Sequence, residues 1–193
     1  PVDCNTIFTI YDASYIENIA WSKAAITPHI GLYKSIDGGD NYEQVLNTDV
    51  QVDRIDRHNI AYDITTVDEN GAKTWYAGFA TTGLYRSENY GDKDTWNKVD
   101  DIDASILYEI KTHQTDGNTI YLGTNEGLYV SINKGEDIQE LGNLPDGDVT
   151  SILINPQNPN NLFALIKNDG LYESEDGGNT FSILKSFNGV NAY

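Results

Sequence analysis

Positive charge is what this sequence has least of. Twelve Lys and Arg stand against 30 Asp and Glu in 193 residues, for a formal net charge of -18. Recognition of a phosphate backbone needs a cationic footprint, so nucleic acid is excluded as a partner. An anionic membrane surface is disfavoured on the same ground. Cysteine is nearly absent, and Cys4 alone cannot form an internal disulfide, which excludes a disulfide-stapled small domain. No apolar run approaches the roughly 18 residues that a spanning helix needs, so no membrane insertion is expected. Methionine is missing and the chain opens on Pro1, which reads as a processed chain or an excised piece with any targeting segment out of view. His29, His58 and His113 are scattered without ligand spacing, so no metal and no cofactor is expected. No Gly-x-Ser-x-Gly elbow occurs, and no stretch of ten or more residues carries a helical period.

Turn and strand residues are what the chain has instead. It holds 17 Gly and 13 Tyr but only 5 Pro, a mixture that reads as all-β with many tight turns. One tripeptide recurs: Gly31-Leu32-Tyr33, Gly83-Leu84-Tyr85, Gly127-Leu128-Tyr129 and Gly170-Leu171-Tyr172. The glycines are 52, 44 and 43 residues apart. A period in the forties fits one four-stranded blade of a β-propeller. Four blades are expected over residues 3–49, 50–99, 100–143 and 144–187 of a single domain covering 1–193. Residues 188–193 (NGVNAY) resemble the lead-in to the fourth unit, and start either a further blade or a closing strand.

Within each unit an apolar segment comes first: 6–11 (TIFTIY), 60–67, 105–111 and 149–155. Apolar positions on both faces predict that these strands lie innermost, around the axis. Second strands are expected over 18–22, 74–80, 119–124 and 162–167, followed by the Gly-Leu-Tyr strand. The fourth strands are expected over 42–46, 95–99, 137–141 and 180–184. Two loops exceed the repeat: 23–30 (KAAITPHI), between the second and third strands of unit one, and 50–59 (VQVDRIDRHN), between units one and two. Both belong to one end of a propeller, and loops that depart from a repeat are where function concentrates.

After each Gly-Leu-Tyr comes an acidic glycine turn. The fourth copy runs Ser174-Glu175-Asp176-Gly177-Gly178-Asn179-Thr180-Phe181, and the first runs Ser35 to Tyr42 through Asp37 and Gly39. The second has Ser87, Asn89 and Gly91, with two extra residues before Thr95 and Trp96; the third has Ser131, Asn133 and Gly135, without Thr or aromatic. A short Asp side chain can bond the turn's own amides, and Gly supplies the positive φ, so such a turn needs no ligand. The pattern resembles the Asp-box, or BNR repeat, of sialidase-like, sortilin-like and xyloglucan-hydrolase-like propellers and of photosystem II assembly factors. That resemblance implies a propeller with the boxes at the blade rim, between third and fourth strands and away from the central site. Many bacterial extracellular proteins share it, which implies an extracellular or cell-surface setting.

The resemblance brings no catalytic residue with it. A sialidase-like site needs three converging arginines, but here there are only Arg54, Arg57 and Arg86, two of them in one loop. A two-acid hydrolase site cannot be picked from 30 carboxylates. The leading expectation is a non-catalytic binding or scaffold propeller that takes a glycan or protein partner through one loop-bearing end. Its candidate contacts are Trp21, His29, Arg54, Arg57, His58, Asn125 and Asn168. A glycoside hydrolase, or a piece of one, is the alternative, and a structural spacer is a third. Self-association that completes a ring stays open beside closure as four blades or membership of a larger propeller.

Overall fold

The computed structural model describes residues 6–11, 31–47, 61–69, 72–79, 83–99, 106–113 and 116–187. Fifteen strands, and no helix, lie among these described residues. The first sheet contains β1 (Ile7–Tyr11), β2 (Gly31–Ser35) and β3 (Glu43–Asn47). The second contains β4 (Ala61–Glu69), β5 (Ala72–Phe79), β6 (Gly83–Ser87) and β7 (Trp96–Val99). The third contains β8 (Leu107–Thr112), β9 (Ile120–Thr124), β10 (Gly127–Ser131) and β11 (Gln139–Glu140). The fourth contains β12 (Val149–Ile154), β13 (Leu162–Ile166), β14 (Gly170–Ser174) and β15 (Ser182–Ser186). Each is an antiparallel meander whose strands pair in chain order. β4 neighbours β8, and β8 neighbours β12, so the first strands of successive sheets line the inner side, as the sequence predicts. This is the blade architecture of a β-propeller.

One strand departs from the prediction. Residues 6–11 were expected in the innermost position of the first unit, but β1 pairs directly with the Gly-Leu-Tyr strand β2, Ile7 opposite Ser35. That is the place of a second strand, held elsewhere by Trp75 opposite Ser87, Ile120 opposite Ser131 and Leu162 opposite Ser174. The sequence carries the clue: Asn5-Thr6-Ile7-Phe8 repeats as Asn118-Thr119-Ile120-Tyr121. First and second strands are both rich in apolar residues and similar in length, so apolar content alone does not separate them. The second strand expected over 18–22 lies outside the described residues.

Three apolar layers join the sheets in sequence. Leu32 and Val45 meet Ala77 and Phe79 between sheets one and two. Tyr76 and Leu84 meet Leu107, Ile110, Ile120 and Leu122 between sheets two and three. Tyr121, Leu128 and Val130 meet Ile152, Leu162, Ala164 and Tyr172 between sheets three and four. Among the described residues, no such layer joins the fourth sheet to the first.

The anchor glycines serve two different needs. At Gly31 and Gly170 an added Cβ would stand 2.2 Å and 2.5 Å from the carbonyl oxygens of Leu46 and Lys185, so only Gly lets the outer strand approach. Gly83 and Gly127 instead hold φ of 87° and 130°, which other residues rarely adopt.

Candidate functional site

The four acidic turns are built on one hub, the serine that ends the Gly-Leu-Tyr strand. Ser174 Oγ accepts from Gly178 N at 2.8 Å and Asp176 N at 3.3 Å, and donates to Asp176 Oδ1 at 2.8 Å. Asp176 then accepts from Thr180 N at 2.9 Å and Thr180 Oγ1 at 2.7 Å. The first turn repeats this with Ser35, Asp37, Gly39 and Asn41, whose amide Nδ2 donates to Asp37 Oδ2 at 2.8 Å. In the third turn the polarity is reversed. Asn133 takes the Asp position, and its Nδ2 donates at 2.7 Å to the carboxylate of Asp137, which stands where Thr180 does. The third turn therefore keeps its full set of bonds, with donor and acceptor exchanged only between the two side chains. In the second, Ser87 still accepts from Asn89 and Gly91, while Thr95 bonds Ser87 across the two-residue insertion and Trp96 Nε1 donates to Gly91 O at 3.2 Å.

These bonds hold the acids ionised. The Asn41 side chain, with the Asn41 amide and Ser35 hydroxyl, keeps Asp37 at about 2. Thr180 likewise lowers Asp176 below the usual carboxylate range, and Thr119 lowers Asp116 in the β8–β9 connection. A carboxylate whose folded pKa is depressed contributes stability above its unfolded value of about 4 and loses it as pH falls through the folded value. The denaturant midpoint should thus fall between pH 4 and pH 2, and the double variant Asp37→Asn, Asp176→Asn should show a shallower fall. Equal slopes in wild type and variant would contradict this role.

The second, third and fourth turns each also receive a bond from the preceding sheet, at the carbonyl of the residue just before the turn glycine. Lys34 Nζ donates to Tyr90 O at 2.8 Å, Arg86 Nη1 to Lys134 O at 2.7 Å, and Tyr121 Oη to Gly177 O at 3.5 Å. Tyr90, Lys134 and Gly177 have φ of 56°, 63° and 73°. Lys34 is buried and also pairs with Asp92 at 2.5 Å. Above it opens a cleft of about 420 Å³ between the first two turns, lined in part by Ile36, Asp37, Tyr42, Asp92 and Lys93. Ile36 and Tyr42 are exposed there. Arg86 also pairs with Glu88 at 3.5 Å within its own sheet, while its bond to Lys134 O serves the interface between sheets.

The other end of the sheets carries the connections between second and third strands. Asn125 lies there, and its Oδ1 accepts from Ile106 N at 2.7 Å while its own amide donates to Ile106 O. That makes it a clamp on the start of β8. Asn168 is exposed at φ 63°, the conformation Asn tolerates best after Gly, and it turns β13 into β14. Nearby, Asp148 accepts from Tyr108 Oη at 3.0 Å and pairs with Lys167 at 3.4 Å. Tyr172 Oη donates to the Asp169 carboxylate, and this bond with partial burial pushes the phenol up to about 12. Tyr108, Asp148, Lys167 and Asp169 escaped the sequence reading because they fall inside the regular repeat. Trp21, His29, Arg54, Arg57 and His58 lie outside the described residues, as do loops 23–30 and 50–59. Among the described residues no three His, Cys, Asp or Glu side chains group as a metal cage.

No family model matches the chain, and no curated protein does. Solved structures do. The Niastella koreensis GH74 enzyme superposes with a TM-score of 0.66 at 18% identity, over 82% of this chain and 27% of that one. The GH74 xyloglucanase from Xanthomonas campestris gives 0.63 at 21% identity, over 80% and 27%. YCF48 from Cyanidioschyzon merolae gives 0.54 at 15% identity, over 86% and 54%. The chain spans about a quarter of the GH74 structures and about half of the YCF48 structure. Identities this low carry the fold alone. Together with the four meanders and their inner strands, they make this chain an all-β, partial β-propeller.

Proposed function

We propose that the chain is a non-catalytic binding or scaffold propeller that takes a glycan or protein partner through the end bearing loops 23–30 and 50–59. The observation that carries this reading is that the acidic turns satisfy themselves: Asp37 and Asp176 are bonded by the amides and hydroxyls of their own turns, so these acids build the fold. Asp37, Asp116 and Asp176 are each held below the usual carboxylate range by such bonds, the opposite of what a glycosidase general acid needs, so none of these three fills that role. The acidic turns are of the Asp-box type on this reading, and they build the rim. An extracellular or cell-surface setting goes with it. The structure of YCF48 bound to D1 peptide, similar at a TM-score of 0.51 and 15% identity, supports the protein-partner branch. Glycoside hydrolysis is the second reading, favoured by the likeness to a xyloglucanase.

The test is a glycan and protein-partner screen of the chain beside a variant with 23–30 and 50–59 replaced by short turns. Binding lost in the variant, with the β circular-dichroism spectrum kept, supports the site; unchanged binding refutes it. Turnover of a xyloglucan or a sialoside by the purified chain would replace the binding reading with the hydrolase.

A further inference from the structure

We propose that the cleft between the first two turns binds a neutral saccharide. This rests on the glycan branch of the proposed function, but it places the contact at the rim, apart from loops 23–30 and 50–59. The second turn's departure from the repeat supplies one wall. Three residues separate Gly91 from Thr95, where one separates Gly178 from Thr180. The lengthened segment is turned by Asp94 at φ 63°, and it brings Asp92 and Lys93 to the cleft. The opposite wall is built by β2, β3 and the first turn, through Lys34, Val45 and Ile36. The space of about 420 Å³ falls within the roughly 300–1,000 Å³ of small-molecule sites.

Charge decides the class of ligand. Lys34 is only 8% exposed, and Asp92 Oδ1 neutralises its ammonium at 2.5 Å. An ammonium has three donors. Lys34 Nζ gives one to Asp92 and one to Tyr90 O at 2.8 Å, and the Phe8 ring stands 5.8 Å from it. The third N–H meets no oxygen or nitrogen acceptor among the described residues. A cation entering the cleft approaches this ammonium and is repelled. An anion approaches the carboxylates of Asp37, Glu43 and Asp92, and Asp37 is held ionised by its turn. Lys93 balances only Glu43, at 3.5 Å. A hydroxyl suits both signs at once. Its oxygen accepts from Lys34 Nζ, and its proton goes to Asp92 Oδ2, which the Lys34 bond leaves open.

The rest of the wall suits the other half of a sugar. A pyranose ring presents C–H groups on its faces and hydroxyls at its edges. Val45 lies buried at the back, while Ile36 and Tyr42 are 72% and 45% exposed at the mouth. Covering Ile36 and the Tyr42 ring with a C–H face removes apolar area from water. Apolar surface beside a hydroxyl-sized polar pair matches a sugar better than it matches a wholly apolar ligand, which would strand the Lys34 N–H.

Saturation-transfer NMR of the 193-residue chain with cellotetraose, mannotetraose and galactotetraose, each to about 10 mM, tests this directly. Tetragalacturonate and tetralysine serve as the charged probes. At least one neutral saccharide should bind, and more tightly than either charged probe. Ile36→Asp and Tyr42→Ala should each weaken that binding about tenfold, with the urea midpoint near wild type because both side chains are exposed. The variant with 23–30 and 50–59 replaced by short turns should bind the saccharide as the wild type does. Failure of all three saccharides overturns the proposal, as does tighter binding of a charged probe or binding that Ile36→Asp and Tyr42→Ala leave unchanged. Saccharide binding lost only in the loop-replaced variant also overturns this site while leaving the proposed function standing.

Discussion

Replacing Leu84 or Leu128 by Ala is expected to destabilise the chain by about 2–5 kcal/mol, the usual cost of deleting a fully buried leucine side chain. The same replacement at Leu171 is expected to cost less than about 1.5 kcal/mol, because part of its apolar area already faces water. All three are the leucine of a Gly-Leu-Tyr anchor and hold the same place in their strands. They differ in what lies across from them. Leu84 and Leu128 are 0% and 2% exposed, against the third and fourth sheets, while Leu171 faces outward from the last sheet. Local propensity, strand position and residue type are held constant, so the comparison isolates the neighbouring sheet. Urea denaturation gives the three differences. A loss at Leu171 as large as at Leu84 would mean that Leu171 is covered as fully as the other two anchor leucines. In a stacked-sheet protein each interface contributes separately to stability, so Leu84→Ala should also loosen sheet two from sheet three more than it disturbs the fourth turn.

The fold was legible because one tripeptide and one turn recur, and each recurrence has a physical cause. Gly31 and Gly170 admit a carbonyl that no side chain would, and Gly39, Gly91, Gly135 and Gly178 all take positive φ beneath their serine. The inner position assigned to residues 6–11 was misread because a buried second strand and a buried first strand share the same apolar content. Asn5-Thr6-Ile7-Phe8 held the answer in its match to Asn118-Thr119-Ile120-Tyr121. The bonds between sheets were illegible for another reason. Lys34, Arg86 and Tyr121 reach the same carbonyl position with three different groups, across 48 to 56 residues of sequence. No spacing rule finds donors that change chemistry at every copy. The third turn was readable in principle: Asn133 and Asp137 depart from the pattern together, and paired departures mark a compensated contact. Of the candidate binding residues, Asn125 and Asn168 turn out to hold strand connections. In short polar turns the same side chain that suits a ligand also satisfies the local backbone.

The serine hubs should matter more to stability than the acids they hold. Ser174→Ala is expected to cost about 1–3 kcal/mol, the penalty for leaving a buried donor without its acceptor. Ser174 is 1% exposed, and its Oγ receives the amide of Gly178, which is itself buried. Gly178 packs toward Leu141 of the preceding sheet, so water has no room to replace the hydroxyl. Asp176 lies at the exposed rim. Asp176→Asn keeps an acceptor oxygen for the Thr180 amide, as Asn133 Oδ1 already does for Asp137 N at 2.9 Å. Its effect on the midpoint should therefore be the smaller of the two at pH 7. Ser174→Thr, which keeps the hydroxyl, should recover most of the loss. Hydrogen exchange at the Gly178 amide supplies an independent readout: protection should fall in Ser174→Ala and stay near wild type in Asp176→Asn. The reverse order would show that the turn is held by its carboxylate, and a Thr that recovers nothing would show that packing volume, rather than the hydroxyl, is what Ser174 contributes.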